Sequence, residues 1–432
     1  MRQARIAHDV RRPRARAALV TLTLAAATLV GSSASADRTD PTDPAPTYTP
    51  PTGPLFSDPT TTGKDGPDAL RIIDTLVAMI DNAPAGSTIR IAAMRLNVAR
   101  VGTSLVAAHQ RGVTVRVVLP ADQKTDPEAR SVANELNLNR LAATDTSYVA
   151  YCVKACYANQ AFSTAHAKLY LFSTTGTGSQ VTMTSSANIS RSGYHTAFND
   201  AYVTVGDEAL YVAARRYFDG MRRDRTPARN PYRSVSDAGM VMKFFPDFTT
   251  GAWHDQVSSI FNNTTCHAGP GAGDGAGHTV VTTNQPSWSA NREYVLDRLK
   301  TLHRHGCVVK VMITRGGVTP YMMRRFLHSG LRVRYTDHFQ GDFRTLYAHS
   351  KYIAISGRFY GDPSTHTVFT GSANMTLTAT RVSDNTMLRI RNDADVYAAY
   401  AANFAHIWSL STPLKASNAT ITAAQRRASV LE

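Results

Sequence analysis

Leu105–Leu119 reads LVAAHQRGVTVRVVL, and Leu299–Ile313 reads LKTLHRHGCVVKVMI. Laid over one another, the two stretches agree at Leu105/Leu299, His109/His303, Gly112/Gly306, Val115/Val309 and Val117/Val311, and Arg116 matches Lys310. Each spells the end of a helix, a glycine that stops it and a buried strand. His109 and His303 fall in the last helical turn, where a histidine complements the negative end of the helix dipole, so a structural role is expected of both. A unit used twice divides the chain into two related halves, 55–233 and 234–432.

Upstream of the first copy, apolar residues at helical spacing around Leu70–Ile80 precede an apolar strand at Thr88–Met94, which is α/β patterning. Before that, Pro41, Pro44, Pro46, Pro50, Pro51 and Pro54 mark residues 37–54 as an extended spacer. Earlier still, six arginines up to Arg16 lead into an apolar run from Ala17 to Val30 and then Ala34-Ser35-Ala36. Residues 1–36 therefore read as a signal peptide cleaved after Ala36, and the protein is expected to be secreted. Of the 432 residues, 47 are basic and 32 acidic; removing the leader takes away six Arg and one Asp and lowers the net charge from +15 to +10. A basic surface attracts polyanions, whether nucleic acid or acidic lipid, without choosing between them.

With 43% hydrophobic residues, disorder as the main state is excluded. The four cysteines of an exported chain are expected in disulfides, and sequence neighbours suggest Cys152–Cys156 and Cys266–Cys307; a zinc site on Cys152-x-x-x-Cys156 is the alternative. Arg222, Arg223, Arg225, Arg229 and Arg233 read as a solvated domain boundary, and the glycines from Gly269 to Gly277 as a surface loop without the Lys-Ser/Thr of a phosphate loop.

Each half holds one more pair of segments. Ala165-His166-Ala167-Lys168 starts an apolar run that turns back to Ser185-Ser186-Ala187-Asn188; Ala348-His349-Ser350-Lys351 starts another that turns back to Gly371-Ser372-Ala373-Asn374. Both read as β-hairpins. Alternate residues of a strand share a face, so each hairpin gathers an imidazole, an ammonium, a hydroxyl and a carboxamide on one side. Such a group suits a phosphodiester: Lys and the amide donate to the non-bridging oxygens, and His can attack phosphorus.

The doubled His-x-Lys with its downstream Ser-Ala-Asn resembles the phospholipase D superfamily over both halves. The resemblance implies two similar α/β/α sandwich halves related by a pseudo-twofold axis, sharing one site that needs no metal or other cofactor. It implies His166 as nucleophile, His349 as general acid and base, Lys168 and Lys351 as phosphate-binding cations, and Ser186, Asn188, Ser372 and Asn374 as further phosphate contacts. Family members orient each histidine with a downstream carboxylate, and Asp200 and Asp384 stand where those residues would fall. The family's Asp five residues after the Lys is replaced by Ser173 and Ser356, which marks a divergent branch.

The activity so implied is hydrolysis of phospholipid headgroups, with transfer to an alcohol as an extension and transient contact with a membrane surface. A nuclease of the same superfamily is the alternative, favoured by the charge. A non-catalytic binding module would show decay in one half, whereas both keep His, Lys, Ser and Asn. One chain supplies both motifs, so a monomer is expected.

Overall fold

The computed structural model describes residues 48–139, 144–249 and 255–430. The leader expected at 1–36, its cleavage site and the spacer up to residue 47 lie outside the described residues. The first half contains β1 (Gly53–Ser57), α1 (Pro67–Asp81), β2 (Thr88–Ala92), α2 (Ala99–Gln110), β3 (Thr114–Pro120), α3 (Pro127–Leu138), β4 (Tyr148–Cys152), β5 (Leu169–Thr175), β6 (Gly178–Ser185), α4 (Arg191–His195), β7 (Ala197–Thr204) and α5 (Glu208–Met221). The second contains β8 (Arg233–Asp237), β9 (Met240–Phe245), α6 (Gln256–Asn262), β10 (Thr264–Thr265), β11 (Val280–Asn284), α7 (Glu293–Arg304), β12 (Val308–Ile313), α8 (Pro320–Leu327), β13 (Arg332–Tyr335), β14 (His338–Gln340), β15 (Phe343–Ala348), β16 (Tyr352–Phe359), β17 (Asp362–Gly371), α9 (Leu377–Arg381), β18 (Asn385–Ile390), α10 (Ala394–Leu410), β19 (Thr412–Pro413) and α11 (Ala423–Val430).

The duplication is visible in the sheets. Strand order β4-β3-β2-β5-β6-β7 in one sheet is repeated as β13-β12-β11-β16-β17-β18 in the other, with the first three of each parallel and the rest antiparallel. Even the register repeats, Thr88 lying opposite Thr114 as Val280 lies opposite Val308. A parallel sheet has to be covered on both faces, and side chains alternate between them. On β5, Tyr170 and Phe172 enter an outer core with Ile72, Ile73 and Leu76 of α1, while Leu169 and Leu171 enter a central core with Leu210 and Phe218 of α5. That central core is common to the halves, since it also takes Tyr352 from β16 and Tyr400 and Phe404 from α10. Each half is thus an α/β/α sandwich.

Pro67 fits the first helical position of α1, where its missing N–H costs nothing, and Ile72, Ile73, Leu76, Met79 and Ile80 form its buried stripe. After α2 and α7 the chain turns through Gly112 and Gly306 at φ of 88° and 94°, a conformation open to glycine, so the predicted helix stops are met in both copies. His109 does more than complement a dipole: it is 1% exposed and its ring nitrogens meet Glu135 at 3.0 Å and Asp145 at 2.7 Å. Folded strand begins at Gly53, two residues ahead of Leu55. Both cysteine pairs are disulfides, Cys152–Cys156 and Cys266–Cys307, which leaves no thiolate for zinc. Among the described residues no helix is long and apolar enough to cross a membrane.

The halves also exchange backbone. Strand β15 leaves its own half and pairs in parallel with β7, Tyr347 opposite Ala197 and Ala348 opposite Phe198, while Ala165 forms a bridge to Asp384. In this way the segment leading to each histidine is held by the other half.

Candidate active site

Both histidines are fixed by hydrogen bonds that cross between the halves. The His166 backbone N–H donates to the Asp384 carbonyl at 3.2 Å, and that of His349 to the Phe198 carbonyl at 2.9 Å. The His-x-Lys triplets precede β5 and β16 rather than lying within them, and Ser186, Asn188, Ser372 and Asn374 follow the ends of β6 and β17. The four segments meet at one end of the two hairpins, a place the strand-face reading only approximated.

The side-chain anchors are asparagines. His166 Nδ1 lies 2.8 Å from Asn385 Oδ1, and His349 Nδ1 lies 2.9 Å from Asn199 Oδ1. Each amide is oriented by its other bonds: Asn385 Nδ2 donates to the Ala379 carbonyl at 2.8 Å, Asn199 Nδ2 to the Gly193 carbonyl at 2.5 Å. The oxygen must therefore face the ring, and an amide oxygen only accepts, so each imidazole carries its proton on Nδ1. Nε2 is left with a lone pair in both rings.

This corrects the expected carboxylate orienters. Asp200 is fully buried, its carboxylate bonded to the Thr370 hydroxyl and to Tyr400 Oη at 3.1 Å, and burial raises its pKa. Asp384 accepts the Cys156 and Tyr157 backbone N–H groups at 2.5 and 3.2 Å, and burial pushes it up to about 8. The two aspartates are not equivalent positions: Asn199 matches Asn385, so Asp200 matches Thr386. Equal spacing was the available signal. Ser186 to Asn199 and Ser372 to Asn385 are both 13 residues, whereas Ser186 to Asp200 is 14.

Ser186 and Ser372 are corrected as well. Ser186 Oγ donates to Asn199 Oδ1 at 3.0 Å and receives the Asp200 N–H at 2.9 Å; Ser372 Oγ donates to Asn385 Oδ1 at 2.8 Å and receives the Thr386 N–H at 3.0 Å. With these bonds made, the hydroxyls position the asparagines instead of meeting phosphate. Asn188 and Asn374 remain at the site, each with a buried side-chain oxygen that has no partner among the described residues. Rotating such an amide presents its NH₂ to a phosphoryl oxygen.

Lys168 and Lys351 converge with the histidines. Their Nζ atoms donate to the His166 and His349 carbonyls at 2.8 and 2.6 Å, and both lysines act electrostatically on both imidazoles. Burial first, then these cations, holds both histidines well below their ordinary pKa, and burial followed by Lys351 and Arg95 lowers Lys168. Two neutral imidazoles under two cations form a place for a phosphodiester anion. His166 and His349 are only 7% and 6% exposed. Beside His349 lies a recess of about 30 Å³, lined also by Arg344, Tyr347, Asn374 and Ser429 of α11. It has room for one water molecule. Neither Arg344 nor the asparagine anchors were singled out in the sequence as parts of a site.

The family described as cardiolipin synthase, phospholipase D-like domain, matches residues 76–222 and 278–408. Among solved structures, phosphatidylserine synthase from Haemophilus influenzae is similar with a TM-score of 0.57 at 13% identity, over 84% of this chain and 90% of that one. Polyphosphate kinase from Porphyromonas gingivalis follows at 0.50 and 15%, over 87% of this chain, which spans only 54% of the kinase. A phospholipase D family member, Nuc from Salmonella typhimurium, covers 39% of the chain at 17% identity with a TM-score of 0.28, aligning 91% of its own length. No curated protein matches the sequence. With the domain matched in both halves, around paired His-x-Lys segments that meet in one site, the chain belongs to the phospholipase D superfamily of enzymes acting on phosphodiesters.

Proposed function

We propose that the protein is a secreted phospholipase D-type phosphodiesterase that releases the headgroup alcohol from a phospholipid. One observation carries the reading: two imidazoles, each held by an asparagine with its proton on Nδ1 and its lone pair on Nε2, stand beside two lysines. The substrate phosphate enters between Lys168 and Lys351, each charge-assisted bond contributing about 1.5–3 kcal/mol. Its negative charge offsets the cations that disfavour imidazolium, so one histidine can take up a proton. His166 Nε2 attacks phosphorus, the bond from phosphorus to the headgroup oxygen breaks, and His349 Nε2 gives that oxygen its proton. Water then attacks phosphorus, passes a proton to His349 and releases His166 with phosphatidate as product. The water-sized recess at His349 supports this division of roles, because the acid that becomes a base needs water beside it. An alcohol in place of water gives headgroup exchange.

The test uses the mature protein in EDTA with phosphatidylcholine vesicles and, separately, plasmid DNA. Choline release lost in His166→Ala and His349→Ala is the expected result. Nicking of the plasmid without choline release transfers the reading to a nuclease.

A further inference from the structure

A large cavity has neither histidine in its wall. About 740 Å³ in volume, it is walled by Arg216 and Asp219 of α5, by Arg223, Arg225 and Arg229 in the loop after it, and by Arg233 at the start of β8. The boundary arginines are solvent-exposed as their sequence suggested, yet four of them, Arg223, Arg225, Arg229 and Arg233, close round one groove. Asp219, its one carboxylate, is already paired with Arg90 at 3.2 Å. Among the described residues none of the five groove arginines has an ion-pair partner. Five guanidinium groups facing one space repel each other, and a site that keeps them together is matched to several phosphates at once, each taken by a planar fork of donors.

The groove shares a wall with the loop that leads to His166. Tyr157 lines it, Val153 N–H donates to Asp224 Oδ2 at 3.1 Å, and Asn159 N–H donates to Thr226 Oγ1 at 3.2 Å. From this same loop Val153 and Phe162 project into solvent, 65% and 88% exposed. Phe162 does so from a left-handed backbone at φ 62°, a strained choice for a large aromatic residue and one that persists where something is gained from it. It stands four residues before His166, hence within about 14 Å of it along the chain.

We propose that the groove and this loop form a docking face for an anionic phospholipid bilayer: lipid phosphates enter the arginine groove while Val153 and Phe162 sink below the headgroups. The inference rests on the lipid reading of the active site and adds a second, non-catalytic lipid contact that holds the His166 side against the membrane. Nucleic acid satisfies the arginines equally well but gives an exposed valine nothing to enter, so the apolar tips decide for lipid.

His166→Ala protein, unable to turn over lipid, is centrifuged with vesicles of phosphatidylcholine alone or with about one third phosphatidylglycerol. Binding to the anionic vesicles is expected, weakened by salt. Replacing Arg223, Arg225 and Arg229 by Ala lowers the partition coefficient on the order of a hundredfold, and Phe162→Ser roughly tenfold. The same substitutions on the active background leave turnover of a soluble phosphodiester unchanged, which shows that they fold. An unaltered partition coefficient in the triple variant overturns the proposal, as does equal binding to neutral vesicles. Arginine-dependent binding of a single-stranded oligonucleotide with no vesicle binding overturns it in favour of nucleic acid. Arginine-dependent docking by a protein that releases no headgroup leaves the docking face standing and removes the catalytic reading alone.

Discussion

The two histidines have the same inner contacts and different outer ones. Around each ring the bonds repeat: asparagine oxygen to Nδ1, serine hydroxyl to that asparagine, lysine to the histidine carbonyl. Beyond them the symmetry ends. On the His166 side stand Arg95, which acts on Lys168, and the disulfide loop braced by Asp384; near His349 stand Arg344, the recess and α11, which is tied down by Arg426 donating to the Val318 carbonyl at 2.9 Å and Gln425 to that of Gly341 at 2.9 Å. Identical inner contacts give both rings the same tautomer. Under the mechanism proposed above, the outer contacts, above all where water can sit, are what separate the ring that attacks from the ring that moves protons.

The sharpest way to break that comparison is to remove each ring in turn and offer an activated diester whose leaving group needs no proton. Both His→Ala variants lose at least about a thousandfold on the natural substrate. On the activated one, His349→Ala still forms a phosphoenzyme in a rapid-quench experiment and His166→Ala forms none. A phosphoenzyme in His166→Ala alone exchanges the two roles.

The next effect concerns the asparagines. Asn199→Ala and Asn385→Ala free the tautomer and cost roughly 10- to 150-fold in kcat/KM, the value of one hydrogen bond to a group that becomes charged. Asn→Asp at either position puts a carboxylate on Nδ1 and raises the histidine pKa. With both rings held below about 6.5, the wild-type pH–rate profile centres on the acidic side of that value, because a protonated acid is scarce above it. Each Asp variant moves the centre upward, and a profile that stays in place shows that the anchored ring is not the titrating group. Stability follows the same sign. The folded rings resist protonation, so the unfolded chain binds more protons below about pH 6.5, and the melting temperature falls as pH drops through that value.

A smaller difference separates the residues ahead of the two Ser-Ala-Asn segments. Ser185 sends its hydroxyl to the Asp200 carbonyl at 2.8 Å. Gly371, its counterpart, has φ 143°, and a Cβ there would stand 2.3 Å from the Thr386 carbonyl oxygen. Gly371→Ala forces backbone apart and costs about 2–3 kcal/mol, while Ser185→Ala costs about 1 kcal/mol, read from urea midpoints. Equal midpoints for the two variants contradict the close approach.

Much of this was legible in advance, and the failures have causes. The helix–Gly–strand repeat and the doubled His-x-Lys reveal both halves, because buried strands and catalytic residues leave local patterns. The asparagine anchors lie 219 and 150 residues from their histidines, on the opposite half, and only packing brings them together. Asp200 and Asp384 drew notice because a carboxylate is the usual partner of such a ring; the matched 13-residue interval from serine to asparagine carried the better information. The groove, too, was half visible: the arginines are a run in the sequence, but that Asp219 is occupied by Arg90, 129 residues away, belongs to the fold.

The exchange of anchors between halves has a consequence for synthesis. When His166 leaves the ribosome, the residue that orients its ring is still 219 residues from being made. At about 5–20 residues per second that interval lasts roughly 10–45 s. Throughout it the growing chain carries the His166 ring without the bond that orients it, so the paired site cannot assemble before Asn385 has been made.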